Sequence, residues 1–143
     1  FVTNTNFANF KNISSSYFDI IKLAKNSDDK YLSFDYKELI DYYKNISTND
    51  QCVQILTHET AIPYFLKKST CTQFYLMWIA GPLEVQKKFV QQLKNKNPQI
   101  LLYSSDVDPY GNAMKHLPIV AEYINKNYSF FSKFKSWTFV KLN

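Results

Sequence analysis

Gln51–Ser105 reads QCVQILTHETAIPYFLKKSTCTQFYLMWIAGPLEVQKKFVQQLKNKNPQILLYSS, and its apolar pattern decides the fold. Cys52, Val53, Ile55 and Leu56 form a short apolar run of strand length. A short amphipathic segment follows with Ala61, Ile62, Tyr64, Phe65 and Leu66, and Pro63 suits the opening turn of a helix. Thr72 and Phe74–Trp78 make a second β-rich run. Leu83, Phe89, Val90 and Leu93 then recur at helical spacing, and Ile100–Tyr103 is a third apolar run. Strand, helix, strand, helix, strand predicts βαβ units, hence a mostly parallel sheet with helices on its faces.

Outward from this core, Asp35 and Glu38 have the spacing of a capping box at the start of a helix that turns Leu39, Ile40, Tyr42, Tyr43 and Ile46 inward. Before it, Tyr17–Ala24 carry helical spacing behind Ser14–Ser16, and Tyr31–Phe34 extend briefly. After it, a helix is expected from about Leu117 to Lys126, and the runs Tyr128–Phe134 and Trp137–Leu142 read as a closing hairpin. The expected architecture is therefore a small α/β three-layer sandwich. It has about five strands, flanking helices and a terminal β-hairpin. One domain is expected over 1–143, with 36–143 as core and 1–35 as an attached helical segment.

The chain has 143 residues, 45% of them hydrophobic and 17% aromatic, enough apolar side chain to form a core without metal or disulfide help. Its net charge is +5 and every cationic residue is Lys. Readers of nucleic-acid sequence favour the bidentate fork of Arg, so no nucleic-acid partner is expected. The same charge favours an anionic membrane surface. No apolar run approaches the ~20 residues that span a bilayer. The opening FVTNTNFANF, without an initiator Met, leads us to expect a piece of a longer protein or a processed product.

The only glycines are Gly81 and Gly111, so neither a phosphate-cradling loop nor a Gly-x-Ser-x-Gly elbow can be built. His58 and Glu59 follow the first strand, where open α/β sheets place their ligand crevice, although His-Glu also suits an ordinary helix entrance. Asp106 and Asp108 follow the third strand as Asp-Val-Asp, which in nucleotide-sugar enzymes holds a divalent ion; in a Pro-Tyr-Gly-Asn context they also suit a plain turn. These four are the candidate binding residues. No catalytic residue, metal site or cofactor is assigned. Phe74, Tyr75, Met77 and Trp78 read first as a buried strand ending in a hydrophobic bend. A ring platform for a sugar or for lipid headgroups is the alternative. Cys52 and Cys71 stand at the starts of the first two strands, neighbours in a parallel pair, and are either bridged, in an oxidising compartment, or two buried thiols.

The succession YKELIDYYKNIS, CVQILTHETAIPYFLKKST, TQFYLMW, KNKNPQILLYSSD, LPIVAEYINKNY and WTFVKLN resembles the extracytoplasmic domain that follows the transmembrane helices of many bacterial polytopic glycosyltransferases of the dolichyl-phosphate-mannose-protein mannosyltransferase type. The resemblance covers about three quarters of the chain, from about Tyr36 onward. It implies a tethered, non-catalytic domain on the periplasmic or extracellular face that assists acceptor recognition. Its partners would be the parent's transmembrane part, a glycan or protein acceptor, and the nearby membrane. The catalytic acid of that family lies between transmembrane helices, so none is carried over. A second expectation is an independent secreted or surface module that binds carbohydrate or protein at the edge holding His58 and Asp106.

Overall fold

The computed structural model describes residues 34–47, 50–104 and 113–143, together with Ile21 and Lys25. The chain divides into two compact units, 1–34 and 35–143, and apart from Phe34, the first residue of the first helix, the second carries the elements below. The expected helix at 17–24 apart from Ile21, the extended stretch at 31–33, and Asp106 with Asp108 all lie outside the described residues.

The elements run α1 (Phe34–Ile46), β1 (Cys52–Ile55), α2 (Ala61–Leu66), β2 (Ser69–Thr70), a 3-10 turn (Met77–Ala80), α3 (Leu83–Lys96), β3 (Ile100–Ser104), a second 3-10 turn (Ala113–His116), α4 (Pro118–Asn127), β4 (Tyr128–Phe134) and β5 (Trp137–Leu142). They build a five-stranded sheet in the order β2-β1-β3-β5-β4. β2, β1 and β3 are parallel, and the hairpin β4–β5 joins antiparallel along β3. The step from β1 to β2 runs one way along the sheet, and the step from β2 to β3 runs back across β1. Right-handed crossovers therefore place α2 and α3 on opposite faces.

The side chains agree with that arrangement. Val53, Ile55, Ile100, Leu102, Trp137 and Phe139 pack under Leu39, Ile40 and Tyr43 of α1 and Ile62 and Leu66 of α2. Leu56, Leu101, Tyr128 and Val140 pack on the other face against Phe89, Val90 and Leu93 of α3 and Val120 and Ile124 of α4. Alternation along β3 thus sends Ile100 and Leu102 to one helix layer and Leu101 to the other, the signature of a strand buried on both faces. The result is a helix–sheet–helix sandwich of α/β class ending in a hairpin, as expected.

Three expectations are corrected. The run Thr72–Trp78 is not a strand. β2 stops at Thr70, and the last ladder bond is the Cys71 amide to the Val53 carbonyl at 3.1 Å. Beyond it, side chains take over the backbone. Fully buried Gln54 accepts from the Thr72 amide (3.1 Å) and from the Thr72 hydroxyl (2.8 Å), and its amide donates to the carbonyls of Ile55 (3.0 Å) and Phe74 (3.2 Å). The Phe74 amide donates to the Thr72 hydroxyl at 3.1 Å, and the Gln73 amide to Gln92 Oε1 at 2.9 Å. With these groups satisfied by side chains, nothing remains to hold a longer strand there.

Cys71 accordingly lies just past β2 rather than at a strand start, and it is joined to Cys52 by a disulfide with Cα atoms 5.0 Å apart. Third, Asp35 sits within the first turn of α1 instead of capping it. Asp35 and Glu38 both accept from the Lys135 ammonium, Glu38 at 2.6 Å, and so pin the hairpin turn to α1. Lys135 has a left-handed backbone (φ 52°), which turns the chain between β4 and β5.

Candidate functional site

The carboxyl ends of β1 and β3 are adjacent, and the chain leaves them toward opposite faces: β1 into α2, β3 into the layer of α4. This divergence is where doubly wound sheets open a crevice. His58 and Glu59 follow β1 at this edge, both half-buried. The edge expected from the sequence is therefore where these two residues stand, while Asp106 and Asp108 lie outside the described residues.

Glu59 is committed to structure. One carboxylate oxygen accepts the Ala61 amide at 2.7 Å and so caps the first turn of α2, whose N-cap residue Thr60 makes no side-chain capping bond. The other oxygen accepts the phenol of Tyr36, which reaches over from α1. Burial, reinforced by the hydrogen bond to Glu59 and by its charge, holds the Tyr36 phenol protonated well above its usual range. A carboxylate engaged at both oxygens is a poor general base. Its bonds instead fasten α1 to the end of β1. Tyr36→Phe and Glu59→Gln are each expected to cost about 1 kcal/mol in denaturant unfolding. Gln at 59 keeps an acceptor for the Ala61 amide, so α2 remains formed and the loss is confined to the link with α1.

Beside this link a cleft of about 230 Å³ opens between α1 and the hairpin, lined by Asp35, Tyr36, Leu39, Phe134, Lys135 and Trp137 among others. Its polar wall is the ion pair of Lys135 with Asp35 and Glu38, and the hydrogen bonds to those two carboxylates raise the Lys135 ammonium above its ordinary value. Sequence reasoning missed Tyr36 and Lys135 because their partners are 23 and 97 or more residues away. On the opposite face of the sheet a larger cleft of about 450 Å³ is bounded by Tyr103, Lys115, Asn125, Tyr128 and exposed Phe130. Among the described residues, no three His, Cys, Asp or Glu side chains stand together so as to hold a metal ion.

The aromatic run splits in two. Phe74 and Met77 are buried, whereas Tyr75 and Trp78 are exposed, followed by exposed Ile79 and Leu83. The 3-10 turn explains the division: with three residues per turn, Met77 and Ala80 share one side and enter the core, leaving Trp78 and Ile79 outside.

No protein-family model matches the chain, and no curated protein matches it. Among solved structures, the chain is similar to the C-terminal globular domain of an oligosaccharyltransferase from Archaeoglobus fulgidus, with 14% identity and a TM-score of 0.44 over 78% of this chain and 99% of that one.

Proposed function

We propose that this chain is an extracytoplasmic, non-catalytic domain of a membrane-embedded glycosyltransferase that uses a lipid-linked sugar, where it assists acceptor recognition beside chemistry done elsewhere in the parent. The observation that carries the reading is the Cys52–Cys71 disulfide, both cysteines of which are buried in the core. Structural disulfides of this kind persist in the oxidising compartments outside the cytoplasm. Glu59 supports the non-catalytic part, since both its carboxylate oxygens hold the scaffold together. The glycosyltransferase part rests on the sequence resemblance. The quoted segments follow one another as the observed elements do, except that TQFYLMW is a bend and a turn instead of a strand.

The test is the parent gene. Reading it upstream of Phe1 should reveal several apolar runs of ~20 residues, and cysteine-accessibility mapping in cells should place residues of α1 and the hairpin on the outer face. An upstream region without such runs, or a cytoplasmic domain with free thiols at Cys52 and Cys71, would overturn the proposal.

A further inference from the structure

Four large apolar side chains stand in the open within nine residues: Tyr75 at 50% exposure, Trp78 at 63%, Ile79 at 40% and Leu83 at 58%. They crown a rigid support. Phe74 just before them, and Met77 and Ala80 between them in sequence, are buried in the core. The Gln73 amide is tied to Gln92, and the Gly81 carbonyl accepts from buried Gln86 at 2.8 Å. The Cys52–Cys71 bridge anchors the chain just ahead of the segment. Four exposed large apolar residues within nine positions, on a backbone held at both ends, exceed the scatter of single residues that needs no explanation.

The chemistry around the patch selects its occupant. From Gln73 to Leu83 the sequence QFYLMWIAGPL carries no charge at all, and the next turns of α3 add Glu84, ion-paired at the surface with Lys87 at 2.6 Å, and Lys88. Trp and Tyr beside apolar side chains, bordered by Lys, is the composition that settles at the headgroup level of a bilayer. The chain's net charge of +5 draws it toward anionic lipid and opposes apposition of a second copy carrying the same charge. We propose that Tyr75, Trp78, Ile79 and Leu83 insert into the interfacial region of an anionic bilayer, with Lys87 and Lys88 at the headgroups. This site deepens the reading of the chain as a membrane-attached domain and rests on it.

The experiment uses the full 143-residue chain with vesicles of phosphatidylglycerol and, separately, of phosphatidylcholine. The two tryptophans are Trp78, exposed, and Trp137, at 7% exposure, so a blue shift of emission on adding vesicles reports Trp78. Co-sedimentation and a blue shift with phosphatidylglycerol, weaker with phosphatidylcholine and weakened by salt, are the expected results. Leu83→Ser keeps the fluorophore, and Trp78→Ala with Leu83→Ser removes the wedge; the double variant should lose about tenfold or more in partitioning at unchanged Tm. No partitioning onto phosphatidylglycerol would overturn the site. So would undiminished partitioning of the double variant, which would assign binding to scattered lysines, or a dimer in analytical ultracentrifugation that the double variant abolishes, which would assign the patch to a second copy. Vesicle binding is read on the isolated chain. An upstream region without membrane segments therefore overturns the proposed function and leaves this result standing.

Discussion

Breaking the Cys52–Cys71 bridge, by reductant or by Cys71→Ser, is expected to lower the unfolding free energy by about 3 kcal/mol, the loop-closure entropy of a crosslink of this length. The bridge spans 19 residues. The closed loop contains all of α2 and β2, and β2 is an edge strand of two residues that makes few ladder bonds of its own. Without the bridge, β2 and the bend after it should open locally before the sheet unfolds. Guanidinium unfolding of the oxidised and reduced chain measures the first effect, and native-state hydrogen exchange at Cys71 and Val53 the second. A loss well under 1 kcal/mol with unchanged exchange would show that the Gln54 network alone holds this edge.

Replacing Gln54 by Leu should cost about 4 kcal/mol, although the side chain is fully buried and Leu is the more hydrophobic residue. Gln54 serves both ends of its amide, accepting from Thr72 and donating to the Ile55 and Phe74 carbonyls. Leu would leave the Thr72 amide and the Phe74 carbonyl without those partners in the interior, and each such loss carries the full desolvation cost of the group. Thr72→Val removes the hydroxyl that receives the Phe74 amide and should cost less, since Gln54 and the Thr72 backbone stay in place. Gln54→Leu should also loosen the bend that supports Trp78. Chemical denaturation ranks the two variants, and a Gln54→Leu chain as stable as its parent would refute the network's role.

Much of the fold was legible along the chain. Apolar spacing located α1 at Leu39–Ile46, β1 at Cys52, α3 at Leu83–Leu93, β3 at Ile100, α4 at Leu117 and the closing hairpin, because each buries a face or a stripe whose period is local. Thr72–Trp78 misled for a physical reason. Its residues have strand propensity, but a strand needs a neighbour's ladder, and Gln54 supplies that segment with side-chain bonds. The Asp35/Glu38 spacing misled in the same way, since Lys135, nearly a hundred residues on, competes for both carboxylates. Of the candidate binding residues, His58 and Glu59 stand just past the carboxyl end of β1, a consequence of topology. That Glu59 is spent on Tyr36 and α2 could not be read from their spacing.

The sequence by itself determined the α/β class, the succession of elements, and the shortage of glycine that excludes a phosphate loop. Those properties depend on composition and on spacing within one element. Tertiary structure alone decided that Cys52 and Cys71 are joined, because only the parallel pairing of β1 with β2 brings their Cα atoms to 5.0 Å. It also decided which rings of the aromatic run are core and which are surface. A 3-10 turn repeats every three residues, so it buries Met77 with Ala80 and leaves Trp78 in the open, where a strand would have sorted the same residues by twos.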